Sequence, residues 1–148
     1  MKSKISFFAI ALLILPSLAY ASKSEDMVID AKRGNLLEVK EAIGKGANVN
    51  YKIDNGYTAL MFAAQEGHVE IVKLLIQSGA NVNVKNSEGS TALMFAVSTG
   101  QIEIVQILLK SKADVTIKSK KGDTALKIAK LFDSKEIIEA LKKSGAKD

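Results

Sequence analysis

A fixed step of 33 residues constrains this chain more than any other feature. Gly56, Gly89 and Gly122 stand 33 apart, and Thr58, Thr91 and Thr124 follow them in the same register. A period of that size marks a stacked array of short supersecondary units. The clearest copy is residues 53–85. Asn55-Gly56 supplies positive φ for a tight hairpin-like turn, and Thr58 is placed to cap the helix that follows by accepting a bond from a free N–H. Leu60, Ala63 and Ala64 fall on one helical face, and Gly67 stops that helix because left-handed geometry costs glycine little. A second helix is predicted from about Val69 to Gln77, with Ile71, Val72, Leu74 and Leu75 toward its neighbours. Gly79 ends it, and an extended arm covers residues 80–85. Such a unit cannot bury its apolar surface alone, so neighbouring units must supply the other wall.

The other copies follow the plan with informative departures. Residues 86–118 keep Gly89, Thr91, Leu93, Gly100 and Leu108, but Lys112 replaces the glycine seen at Gly79. A lysine in left-handed geometry costs about 1 kcal/mol, which predicts a looser or differently closed helix end there. In residues 119–148 Asp133 stands where Gly67 and Gly100 stood, a substitute that visits the same geometry readily. Residues 23–52 form a divergent first copy in which Ala31, Gly34 and Val39 meet Ala64, Gly67 and Val72. The charged first helix of this copy and the lysines of the last one suit terminal repeats whose outer faces meet water.

Ahead of the array, residues 1–21 read as a secretory signal peptide: Lys2 and Lys4, an apolar run from Ile5 to Leu15, Pro16, then Ala19-Tyr20-Ala21. The run makes a helix of about 16 Å, half of what a membrane span needs. Cleavage after Ala21 is expected, leaving residues 22–148 with no stable membrane span, in the periplasm or secreted. Removal of Lys2 and Lys4 lowers the formal charge from +5 to +3. That modest excess, with 5% aromatic residues, argues against a nucleic-acid platform.

The residues of the second copy resemble the ankyrin repeat, whose pattern runs Gly-x-Thr-Pro-Leu-His-x-Ala-Ala-x-x-Gly-His-x-Glu-Val-Val-x-Leu-Leu-x-x-Gly-Ala-Asp-Val-Asn. Gly56-Tyr57-Thr58-Ala59-Leu60, Ala63-Ala64, Gly67-His68-Val69-Glu70-Ile71-Val72, Leu74-Leu75 and Gly79-Ala80-Asn81-Val82-Asn83 match it nearly position for position. The family's Thr-Pro-Leu-His appears here as Thr-Ala-Leu-Met at 58–61 and 91–94 and as Thr-Ala-Leu-Lys at 124–127, so Met61 and Met94 offer packing in place of a ring. The resemblance implies an all-α repeat solenoid: an ankyrin array of helix-turn-helix units with short hairpin-like arms. Its units would be 23–52, 53–85, 86–118 and 119–148, the first and last of them capping repeats.

The same resemblance implies a non-catalytic scaffold that binds a partner protein through a concave face of turn tips and first-helix ends. Carried onto this chain, that face comprises Asp54, Asn55, Tyr57, Gln65 and Glu66, then Ser87, Glu88, Ser90, Ser98 and Thr99, then Lys120, Lys121, Asp123, Leu131 and Phe132. Tyr57 and Phe132 are the anchor candidates, because aromatics dominate interface hot spots; Phe132 reads equally as core filling. Small polar groups in the middle unit predict a patchy, wet interface. Lys52, Lys85 and Lys118 recur every 33 residues and form a basic row suited to an acidic partner surface, or simply a solvated guard against edge pairing. A monomer is expected, and the alternative to a resident scaffold is a secreted effector acting on a host protein.

Catalytic constellations find little support. A single histidine, His68, excludes two-His metal sites and H-E-x-x-H, and the absence of cysteine removes thiolate chemistry and Cys-based zinc sites. His68 reads as a structural residue at the start of a second helix. Glu70, Glu103 and Glu136, in register with the scaffold, suit the positive ends of the second helices better than acid–base work. No phosphate-binding glycine motif occurs, so no cofactor is expected and an enzyme of unrecognised type is the least favoured alternative.

Overall fold

The structure is a computed structural model that describes residues 21–147. The expected signal peptide therefore lies outside the described residues, apart from Ala21. Among the described residues there are eight α-helices and no strand: α1 (21–33), α2 (Leu36–Gly44), α3 (Ala59–Glu66), α4 (Val69–Gln77), α5 (Ala92–Ser98), α6 (Ile102–Lys110), α7 (Ala125–Leu131) and α8 (Lys135–Lys143). They pair as four helical hairpins. The first helices α3, α5 and α7 pack side by side in an inner row, and the second helices α2, α4, α6 and α8 pack in an outer row.

The buried residues are those at which the period repeats an apolar choice. Ala63, Ala64, Ala96, Val97 and Ala129 are fully buried between inner helices, where small side chains allow close approach. Leu60, Leu93 and Leu126 lie beside them, with Met61 and Met94 almost fully buried. From the outer row come Ile71, Val72, Leu75, Ile104, Val105, Leu108, Ile137 and Leu141. Each fully buried leucine or isoleucine contributes about 1.5–3 kcal/mol relative to exposure, so the array is held chiefly by contacts between hairpins.

Helix boundaries follow from a few side chains. Thr58, Thr91 and Thr124 Oγ1 accept bonds from the N–H groups of Met61, Met94 and Lys127 at 3.3, 3.4 and 3.2 Å. The second helices have no side-chain cap at Asn35, His68, Gln101 or Ser134, but each carries a glutamate in its first turn: Glu38, Glu70, Glu103 or Glu136. A negative charge there favours the helix dipole. Gly67 adopts φ 81° after α3. A side chain at Gly67 would also meet the Gln101 amide at about 2.8 Å, so the glycine serves both the turn and the packing of the next unit. At the tip, Asn55 and Gly56 take φ 61° and 75°.

Lys112 corrects one expectation. It adopts φ 64°, yet the end of α6 is closed as tightly as that of α4. Ser111, Lys112 and Ala113 donate to the carbonyls of Ile107, Leu109 and Leu108 at 3.0 Å, as Ser78, Gly79 and Ala80 donate to Leu74, Ile76 and Leu75 at 3.0, 3.1 and 2.9 Å. The lysine accepts the left-handed geometry because three backbone bonds around it demand it.

The arms are stitched together by asparagines. Asn50 Nδ2 donates to the Gly79 carbonyl at 3.1 Å while its Oδ1 accepts from the Asn81 N–H at 2.7 Å. Asn83 repeats the pair with the Lys112 carbonyl and the Asp114 N–H, at 3.4 and 2.8 Å. The series changes at both ends. Asn48 N–H donates to Ser24 Oγ of α1 at 2.9 Å, and Thr116 turns its hydroxyl back to Asp114 Oδ1 at 2.6 Å.

Candidate partner-binding face

Helical geometry decides which side chains the inner row leaves uncovered. In α3 the residues Leu60, Met61, Ala63 and Ala64 are buried, and Phe62, about 200° around the helix from Leu60, remains partly exposed. The 33-residue step carries this position to Ile29, Phe62, Phe95 and Ile128, so every unit presents one apolar side chain in the same place. Tyr57, from the turn tip, lies over two of them. Its ring stacks on Phe62 with centroids 4.9 Å apart and tilts against Phe95 at 5.3 Å, which joins the second and third units. The rings of Tyr57, Phe62 and Phe95 thus form a partly buried aromatic cluster at the middle of the face, beside the small polar groups of the third unit.

Beside this row, the last two positions of each inner helix and its cap change character from unit to unit. They read Lys32-Arg33, Gln65-Glu66, Ser98-Thr99 and Leu131-Phe132. Lys32 Nζ sits 5.1 Å over the Phe62 ring, and a cleft of about 430 Å³ opens there, with Val28, Ile29, Ile53 and Phe62 as its apolar lining and Lys32, Arg33 and Glu66 at its rim. Ser98 Oγ and Thr99 Oγ1 donate to the Phe95 carbonyl at 2.8 and 3.0 Å, leaving oxygen lone pairs as what they offer outward. Leu131 and Phe132 are 72% and 61% exposed, so Phe132 does not fill the core.

The turn tips edge the face. Asp54, Asn55, Ser87, Glu88, Lys120 and Lys121 are exposed, while Ser90 and Asp123 are partly buried. Asp123 is paired with Lys127 at 2.6 Å. Successive tips are bonded through backbone: Ser87 N–H to the Asn55 carbonyl and Lys120 N–H to the Glu88 carbonyl, both at 2.8 Å. In the basic row, Lys85 and Lys118 are exposed, and Lys52 Nζ donates to the Lys85 carbonyl at 3.3 Å, which places its charge on the neighbouring arm.

The remaining charged and polar residues stand in structural settings. His68 Nε2 donates to the Lys32 carbonyl at 3.1 Å, and its ring covers Gly34 so closely that an added Cβ would lie 2.7 Å from Cε1. Lys73 bridges Glu70 at 2.8 Å and Glu103 at 3.6 Å, tying α4 to α6 on the outer row. The hydrogen bond from Lys73 to Glu70 is the main reason the lysine's pKa is raised. Among the described residues no group of three or more His, Asp or Glu side chains is placed to hold a metal ion, and no helix is long and apolar enough to cross a membrane.

Reasoning from sequence missed Ile29, Phe62, Phe95, Ile128, Lys32 and Arg33. The signal was present, since the residue after each Thr-Ala-Leu-Met or Thr-Ala-Leu-Lys segment is large and apolar although it lies off the face that Leu60 and Ala64 define. The fold and this face together define a helical-repeat protein that exposes one continuous inner surface. Residues 27–119, well over half of the chain, match ankyrin repeats in three copies, and the chain belongs to the ankyrin-repeat family. Helices α7 and α8 lie beyond the matched residues and repeat the same cap and register. No curated protein matches the chain.

Proposed function

We propose that this chain is an exported, non-catalytic scaffold that binds a partner protein through its inner face. Ankyrin repeats generally mediate protein–protein interaction, and the observation that supports the inner face is the row Ile29, Phe62, Phe95 and Ile128 continued by the exposed Leu131 and Phe132. Apolar and aromatic side chains that stay partly exposed in line on a preformed stack bind with little ordering cost. Export rests on the N-terminal pattern of Lys2, Lys4, the apolar run and Ala19-Tyr20-Ala21. The same surface serves whether the protein stays in a periplasm or leaves the cell.

Site-specific photo-crosslinking tests the reading. A crosslinker at Phe132 or Thr99 is expected to capture the partner, and one at Lys40 or Gln77 on the outer row is not. Capture from the outer row alone sinks the proposal. Intact mass of the secreted product is expected to show a chain beginning at Ser22; a product retaining Met1 removes the export part.

A further inference from the structure

The inner face is ordered as well as apolar. Its flanking pairs run from two cations, Lys32-Arg33, through an amide and a carboxylate, Gln65-Glu66, and two hydroxyls, Ser98-Thr99, to two exposed apolar groups, Leu131-Phe132. The apolar row beside them does not change. A surface that holds one character constant and grades another along its length distinguishes the two ends of what lies on it.

Backbone bonds from Ser87 to Asn55 and from Lys120 to Glu88 already join successive turn tips, so between them a partner strand finds the open edge taken. A helix, which satisfies its own backbone, does not need one. Neighbouring packed helices are roughly 8–10 Å apart, so three steps from α1 to α7 cover about 24–30 Å. An amphipathic helix of about 18 residues spans that length.

We infer that the inner face takes a single amphipathic helix of the partner. Its carboxylate side chains, in one terminal turn, lie against Lys32 and Arg33, and its opposite end lies apolar against Leu131 and Phe132. At the first end the cleft of about 430 Å³ receives an apolar side chain on Val28, Ile29, Ile53 and Phe62 while the adjacent carboxylate meets the two cations. Glu66, at the same rim, disfavours a second carboxylate one turn further along the helix. The inference rests on the inner-face reading above and adds to it the helix and its orientation.

The test uses the full chain and a labelled 18-residue peptide carrying two glutamates in one terminal turn, a leucine stripe on one face, and alanine and glutamine elsewhere. Fluorescence anisotropy is expected to show saturable binding that weakens with added salt. Reversing both cations, Lys32→Glu with Arg33→Glu, is expected to weaken it at least tenfold, and a peptide with lysines in place of the glutamates is expected to recover most of that loss on the variant. Because Lys32 and Arg33 are exposed, the variant is expected to keep its helical circular dichroism; the milder Lys32→Gln with Arg33→Gln, expected to lose about threefold, serves if it does not. Absence of binding, equal binding of the glutamate and lysine peptides, or failure of the charge swap overturns the inference. If Phe95→Asp abolishes binding while the cation reversals change nothing, the inner face stands as the binding surface and the orientation falls alone.

Discussion

Lys112 occupies left-handed backbone at φ 64° where Gly46, Gly79 and Gly145 stand at the corresponding turns, with φ 84°, 91° and 93°. The side chain costs about 1 kcal/mol in that geometry, partly offset by the greater freedom glycine has when unfolded. Lys112→Gly is therefore expected to stabilise the protein by roughly 0.5–1 kcal/mol, read as a higher urea midpoint at unchanged slope. An unchanged midpoint would show that the strain is already relieved. Surface carboxylates contribute to the acid limb. The hydrogen bond from Lys45 holds Glu41 below its ordinary 4.5, Lys143 does the same for Glu139, and the Thr116 hydroxyl, aided by its N–H, holds Asp114 below 3.8. Depressed values in the native state mean that these contributions are complete above the ordinary values and are lost as pH falls through the native ones. Hydrogen bonding raises Lys73 and Lys143 above 10.5, so their contributions hold below that value and disappear as pH climbs through the raised ones. Melting temperature is expected to be level through neutrality and to fall below about pH 4.5, and the combined variant E41Q, D114N and E139Q is expected to flatten that fall. All three carboxylates are exposed, so the effect is small, and an acid limb unchanged in the variant would place it elsewhere.

At the scale of elements, caps and arms carry separate predictions. Thr58 is almost fully buried and closes the start of α3, and Thr58→Ala is expected to cost about 1 kcal/mol by thermal or denaturant melting. Asn83→Ala removes two arm-to-arm bonds, at 3.4 and 2.8 Å. Each contributes about 0.5–1.5 kcal/mol, and the variant is expected to speed hydrogen exchange at the Asp114 amide while leaving α3 untouched. Equal exchange in variant and parent would mean that the stitch does not form in solution. The threonine caps were legible in sequence because capping is local and the helix period places the hydroxyl beside the orphan N–H. The asparagine stitch was not. Asn50 and Asn83 meet groups 29 and 31 residues away, and only the stacking of the hairpins brings those groups within reach.

For the molecule as a whole, a one-dimensional stack predicts an order of opening. The middle hairpins α3–α4 and α5–α6 have neighbours on both sides, and their amides are expected to exchange most slowly, with α1 and α8 opening first. Uniform protection from end to end would argue for one indivisible core. The fold was legible at this scale from the 33-residue step alone, whereas the apolar row along the inner helices was not. Glu66, Thr99 and Phe132 stand where the copies differ and so are legible as variable positions, whereas Phe62 and Phe95 are alike and read as scaffold. Both rings pack against the core on one side and against Tyr57 on the other, a contact that only the stacking of the units creates. The two ends of the asparagine series have a different consequence. Ser24, buried at one end, already takes the Asn48 N–H, and Thr116, too short to reach across, satisfies itself on Asp114. In the language of polymers, Asn50 and Asn83 propagate, while Ser24 and Thr116 are chain stoppers. The last hairpin therefore joins the stack without the asparagine stitch and rests on the packing of α5 with α7 and of α6 with α8, like a final link held by its neighbours and not by a clasp.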